Sequence, residues 1–180
     1  MEHRALGSQG LTVGTQGLGS MGMSAFYGAT DETESLATIH RAPELGVTLL
    51  DTAESYGPFI NEQLLGKALA ERREDAVLAT KTGVEITDAG RVLGLNGRPE
   101  YVRRSLERSL RHLGTDHVDL YYLHRVDPQG APSRTPSAPW PSWSPKAGSA
   151  TSGLCLTDSL TIVRQVPGWG ATHRSREQAG

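Results

Sequence analysis

The sequence predicts an α/β fold over residues 1–127, a parallel sheet covered by amphipathic helices. Three observations predict it. Short apolar runs alternate with longer stretches whose apolar residues recur every three or four positions. Three successive apolar runs end in a polar or ionisable residue, Asp51, Lys81 and His124, and parallel α/β folds place their chemistry at such strand ends. The alternation then stops after Asp127.

Residues 4–14 read as a small hairpin around Gln9-Gly10. Val13 to Gly19 follows as the first core strand, ending in the glycine-rich loop Gly17-Leu18-Gly19-Ser20-Met21-Gly22. Asp31 suits a helix N-cap, with Glu32 and Glu34 in the first turn. That helix runs to about Glu44 and stops at Gly46, with Pro43 distorting or ending its last turn. Val47 to Leu50 is a buried strand closed by Asp51. Asn61 to Arg73 is helical, with Leu64, Leu65, Ala68 and Leu69 on one face. Ala76 to Thr80 is a strand closed by Lys81, and Thr82 to Gly97 is a loop rich in glycine and charge. Pro99 opens a helix that runs to about Leu113 and stops at Gly114. Val118 to Leu123 is a strand closed by His124. An open Rossmann-type sheet and a closed barrel both satisfy this alternation, and periodicity does not choose between them.

Composition changes where the periodicity stops. Residues 1–127 hold 18 of the 20 acidic and 13 of the 18 basic residues, while residues 128–180 hold 2 and 5. Net charge is therefore −5 in the first part and +3 in the second. Six of the ten prolines lie between Pro128 and Pro145, and Trp140, Trp143 and Trp169 are all in the tail. Residues 128–180 thus read as a Pro/Ser-rich, disordered or irregular tail, with one short apolar stretch, Leu160 to Val163, of strand character.

The strand-end residues suit carbonyl reduction. A ketone gains hydride on carbon and needs a proton on oxygen. Tyr56, five residues after Asp51, is placed to face the same mouth. A tyrosine can give the proton, but its reference pKa near 10 is high for neutral pH. A lysine ammonium beside it favours the phenolate. An aspartate keeps that lysine charged and oriented, and a histidine can hydrogen-bond the carbonyl oxygen or help relay the proton. One strand-end aspartate alone is more often a loop cap; three residues of complementary type in register weigh against that.

Three segments in this order, Asp51-Thr52-Ala53-Glu54-Ser55-Tyr56-Gly57, Ala79-Thr80-Lys81 and Asp119-Leu120-Tyr121-Tyr122-Leu123-His124, resemble those of aldo-keto reductases. The resemblance runs from about Gly17 to Pro128 and includes Asn61-Glu62-Gln63-Leu64-Leu65-Gly66 and the Ser105-Leu106, Ser109-Leu110, Leu113-Gly114 pattern. It implies a (β/α)₈ TIM-type barrel, here truncated to about its first four β/α units, since a whole barrel needs about 250 residues. It implies NADPH-dependent reduction of small aldehydes and ketones. Tyr56 would be the general acid, Lys81 would lower its pKa, Asp51 would pair with Lys81, and His124 would orient the carbonyl. Ser20 and Met21 would lie near the nicotinamide, which Asp51 would also touch. Gly17, Gly19 and Gly22 do not make a phosphate-binding G-x-G-x-x-G, and a tight turn at the barrel mouth explains them better.

Family members continue with further helices and strands where residues 128–180 offer proline-rich sequence. A change of reading frame near Gln129 or Gly130 accounts for this. Read from the third base of each codon, Trp140-Pro141 must yield alanine, and the stretch ending at Gly153 can close on Gly-Arg-Val-Arg-His-Leu-Gly, like the start of the family's fifth strand. On this reading the tail carries no selected function and its tryptophans are accidental. Four strands of eight leave open sheet edges, through which a half-barrel could self-associate or aggregate.

Other features take simpler readings. His40, His112 and His117 read as surface residues beside helices, and His3 and His173 as terminal. Cys155 has no histidine partner at a recognisable spacing and reads as inert. No metal site is expected. One cysteine permits a reducing compartment, the N-terminus lacks a signal-peptide pattern, and the net charge of −2 gives no case for nucleic acid. No apolar run approaches a membrane span, so a cytoplasmic protein acting on a small carbonyl substrate is expected. The competing readings are a non-catalytic half-barrel remnant or oligomerising scaffold, and another α/β fold in which the strand-end residues are caps.

Overall fold

The computed structural model describes residues 1–6, 10–25, 27–125, 127 and 148–154. The chain enters through a hairpin of β1 (His3–Ala5) and β2 (Thr12–Gly14), with His3 opposite Gly14. Strand β3 (Gly17–Gly19) then starts the main sheet. The first core strand is therefore shorter than the expected Val13–Gly19. Val13 and Gly14 belong to the hairpin, and Thr15 N bonds back to Glu2 O at 3.0 Å, which turns the chain before β3.

Helix α1 (Glu32–Glu44) begins as expected, with the Asp31 carboxylate accepting from Glu34 N at 2.9 Å. Pro43 sits in its last turn, where the helix ends one residue later. Strand β4 (Leu49–Asp51) leads through residues 52–59 to α2 (Ile60–Leu69). This helix stops at Leu69, short of the expected Arg73. Arg73 is drawn aside into an ion pair with Asp119 at 2.7 Å and a bond to Ala76 O at 2.8 Å. Strand β5 (Val77–Thr82) contains Lys81. The expected loop at 82–97 instead holds a hairpin of β6 (Val84–Ile86) and β7 (Val92–Leu95). Helix α3 (Pro99–Leu113) starts on Pro99 and ends at Gly114 in a left-handed conformation, φ 64°. Strand β8 (His117–Leu123) follows.

The tail differs from expectation in one segment. Strand β9 (Gly148–Leu154) pairs parallel with β8, His117 opposite Gly148. The edge of β8 offers unpaired backbone groups, and β9 satisfies them. Leu160–Val163, Cys155, His173, Trp140, Trp143 and Trp169 lie outside the described residues.

All pairings in the main sheet are parallel, in the order β3-β4-β5-β8-β9. Each strand of this sheet therefore lies beside the one that precedes it in the same sheet, with the β6–β7 hairpin standing apart between β5 and β8. A Rossmann sheet reverses its order part-way, whereas a (β/α)₈ barrel advances one strand at a time. The strand order thus decides what periodicity left open, in favour of the (β/α)₈-barrel type. Helix α1 packs on α2 and α2 on α3, along one face of the sheet. Between helices and sheet lies the core of Ile39, Leu50, Leu65, Leu78, Leu106 and Val118, all nearly solvent-free. Gly66 allows the close approach of α2 to α3, since a Cβ there would stand 2.7 Å from Leu113 O. No described helix is long and apolar enough to cross a membrane.

Candidate active site

Alternation along β4 and β5 decides which side chains leave the helix layer. Leu50 and Leu78 point into the helix-side core, so Asp51, Ala79 and Lys81 point to the opposite face. Asp51 is level with Ala79, and Lys81 is level with Tyr122. The lysine stem therefore reaches back along the sheet toward the end of β4. Its Nζ ion-pairs with Asp51, donates to Thr52 O at 2.8 Å and to Tyr56 Oη at 3.0 Å. That uses all three of its donors. Lys81 is 3 % exposed and Tyr56 9 %, while 30 % of the Asp51 side chain remains open.

His124 follows β8, with its backbone N bonded to Thr82 O at 2.7 Å. Its ring stands edge-on to Tyr56, centroids 5.8 Å apart. Its Nδ1 lies 3.4 Å from Ser55 Oγ. The structure thus brings Asp51, Tyr56, Lys81 and His124 together at one end of the sheet. Burial holds the His124 ring down to about 4, with the Lys81 and Arg125 charges acting the same way. Burial pushes the Asp51 carboxyl above its ordinary range, against the pull of the Lys81 ammonium.

The Ser20–Met21 loop is fixed to this centre. Ser20 N and Oγ both reach Asp51 O, at 2.9 and 2.8 Å, and Ser20 O accepts from Asn61 Nδ2 at 2.7 Å. All polar groups of Ser20 are thereby taken up within the protein. Met21 opens a short 3₁₀ turn and is half-buried. Gly57, next to Tyr56, has φ 61°, and a Cβ there would stand 2.9 Å from Ser24 O. A left-handed backbone and this close approach both require glycine.

Sequence reasoning did not single out Asn61 and Glu62 as residues that build the site. Asn61 bonds Ser20 O, Ser24 Oγ at 2.8 Å and Thr52 Oγ1 at 2.6 Å. Glu62 accepts from Thr80 Oγ1 at 2.7 Å, beside Lys81. The first turn of α2 thus ties three strand ends together. A signal existed: Asn61 stands four and seven residues before Leu65 and Ala68, on the apolar face, where a polar group must find partners. His112 also departs from a surface reading. It is partly buried, with its ring 4.7 Å from that of Phe59 and Nδ1 3.5 Å from Glu62 Oε2. His40 Nε2 meets Ala68 O at 2.9 Å, also half-buried. Among the described residues no cluster of His, Cys, Asp and Glu could hold a metal.

The sequence profile of the aldo/keto reductase family matches residues 11–138. The chain belongs to that family. The match starts inside the entry hairpin and ends at residue 138. The aldo-keto reductase AKR11C1 from Bacillus halodurans, solved in its holo form, is 39 % identical over 69 % of this chain and 40 % of its own, TM-score 0.62. The thermostable aldo-keto reductase Tm1743, solved with the inhibitor epalrestat, is 34 % identical over 72 % of this chain and 44 % of its own, TM-score 0.58. The glycerol dehydrogenase AKR11B4 from Gluconobacter oxydans is 31 % identical over 63 % and 36 %, TM-score 0.54. This aldo-keto reductase chain therefore spans less than half the length of each of these relatives.

Proposed function

We propose that this chain carries the reacting end of an NADPH-dependent reductase of aldehydes and ketones. One observation carries the reading: a single buried ammonium, Lys81 Nζ, serves both the Asp51 carboxylate and the Tyr56 phenol at 3.0 Å. The donor set suits the reacting end of the cofactor, because hydride transfer to a carbonyl needs a proton donor beside it. When bound, the reduced nicotinamide supplies hydride for the carbonyl carbon. Tyr56 Oη gives the carbonyl oxygen its proton, and the Lys81 charge stabilises the phenolate left behind. Asp51 holds the ammonium in place. His124 is neutral at neutral pH, since its ring is held down to about 4. With Ser55 Oγ donating to Nδ1, the ring's proton would sit on Nε2, free to hydrogen-bond the carbonyl oxygen. A neutral imidazole orients the substrate without competing with Tyr56 as the acid. Met21 and the open part of Asp51 would hold the nicotinamide, with Ser20 keeping both in place through its bonds to Asp51 O.

The test mixes purified protein with NADPH or NADH and small aldehydes and ketones, and follows cofactor oxidation. Tyr56→Phe should still bind NADPH while reduction falls by about 10²–10⁴-fold, the usual contribution of a positioned acid. Reduction that survives Tyr56→Phe removes the assignment of the acid. Absence of both binding and turnover favours the second reading, a non-catalytic half-barrel remnant or scaffold. That reading draws on β3, which ends the sheet, and on the groove beside it. The groove, about 890 Å³, is lined by Gln16, Leu18, Ala37, Arg41, Leu45 and Val47. Self-association through that edge would appear as a dimer in sedimentation. We infer also a cytoplasmic location and a reading-frame change near Gln129 or Gly130. DNA sequencing across codons 127–154 checks the latter, and an in-frame read with no alternative family-like frame removes it.

A further inference from the structure

We infer that Arg108, in the middle of α3, is a positioning residue for the Tyr56 phenol, gripping the loop that carries it on both sides. Residues 52–59 join β4 to α2, and Tyr56 lies between Glu54 and Phe59. Arg108 is 5 % exposed. Its Nη2 donates to Glu54 Oε2 at 3.0 Å, and its guanidinium lies 4.8 Å from the centre of the Phe59 ring. One side chain thus holds both flanks of the tyrosine.

Its neighbours on the same helix face complete the clamp. Tyr101 Oη is 3.1 Å from Glu54 Oε1, and the His112 ring covers Phe59 at 4.7 Å. Phe59 is the one non-glycine with positive φ, 70°, among the described residues. A bulky side chain does not choose that backbone freely, so the surrounding packing must hold it there. Phe59 N bonds Glu54 O at 2.9 Å and Asn61 N bonds Tyr56 O at 3.2 Å, which closes the loop between the two grips. Arg108 Nη1 also donates to Ile86 O at 3.0 Å, joining the β6–β7 hairpin to the same point.

The inference rests on the reading of Tyr56 as the acid only for its effect on rate; its effect on geometry is separable. Tyr56 nitration by tetranitromethane, located by peptide mass spectrometry, reads the position of the phenol without any turnover. Arg108→Met should nitrate at Tyr56 about tenfold faster than the parent, because local opening exposes a phenol now buried. Arg108→Lys should fall between the two, since the charge is kept but the fork is lost. Leu69→Ala, a core truncation away from the loop, should leave Tyr56 nitration within about twofold of the parent, because openings are local. Where Arg108→Met does not fold, Glu54→Gln keeps the shape, weakens the grip, and should raise Tyr56 nitration in the same direction.

An unchanged rate in a folded Arg108→Met or Glu54→Gln overturns the inference. So does an equal rise in Leu69→Ala. If the parent reduces carbonyls, kcat should fall with KM unchanged in Arg108→Met. Nitration that follows this pattern in a protein without reductase activity removes the proposed function alone. Reduction through Tyr56 with unmoved nitration removes the positioning role alone.

Discussion

His124→Gln should change how the stability of this protein depends on pH, in a direction fixed by burial of the ring. The imidazole falls from its ordinary 6.5 to about 4 in the fold, through burial first and the Lys81 and Arg125 charges next. The unfolded chain therefore takes up a proton between these two values that the folded chain refuses. Stability is fully present above pH 6.5 and is lost as the pH falls through 4. A depression of about 2.5 units corresponds to about 3 kcal/mol at 1.36 kcal/mol per unit. Solvent reaching the half-buried ring makes that an upper value. Glutamine has no such titration. Urea unfolding of both proteins from pH 8 to pH 4, followed by circular dichroism, gives the difference directly. Asp51 and Glu54 titrate in both proteins and cancel to first order. The excess stability of the parent over His124→Gln should shrink by up to about 3 kcal/mol across that range. A flat difference, or one that grows toward acid, would refute the assignment of a neutral, desolvated ring.

The opposite sign applies at Glu54, whose carboxyl burial raises to about 7 against the Arg108 charge. Its contribution is complete below pH 4.5 and is lost as the pH rises through 7. The stability of the parent relative to Glu54→Gln should therefore decline from pH 5 to pH 8 in the same titration. Asn61→Ala should cost roughly 2–4 kcal/mol in urea unfolding, because it leaves Ser20 O, Ser24 Oγ and Thr52 Oγ1 without their shared partner. Gly66→Ala should destabilise by about 1–3 kcal/mol despite alanine's better helix propensity, since the new methyl meets the Leu113 and His112 carbonyls. A stabilised Gly66→Ala protein, measured the same way, would mean that α2 and α3 are further apart than described.

Most of the βα frame was legible in the sequence, because local chemistry marks its boundaries. Asp31, Pro99 and Gly114 cap or stop helices for reasons that need no tertiary contact. The four residues gathered at the mouth were also legible, since strand ends and one loop place them. The 84–95 hairpin was not. Its strands are short, and Thr87, Asp88 and Gly90 between them read as loop composition. The early end of α2 was hidden as well, because Arg73 leaves the helix for Asp119, a residue 46 positions away. Arg108 shows the main blind spot. Arg103, Arg104, Glu107 and Arg111 are exposed, while Arg108, of the same charged composition, turns inward. Only its spacing from Tyr101, Ser105 and His112 marks it, and only Glu54 explains it. Strand β9 had no pattern to betray it, being built from small residues that an open neighbouring edge recruits.

Lys81 lies in a strand paired on both sides, by β4 and by β8. Amide hydrogens there exchange only through large openings of the sheet, whereas those of a strand at the margin exchange through fraying. The chemistry proposed for Tyr56 is therefore referenced to an interior strand of the sheet, through one ammonium. Fraying would fall instead on the β6–β7 hairpin, whose Val92, Leu93 and Leu95 stand exposed. Such a division would let the periphery open many times while the proposed proton donor keeps its place.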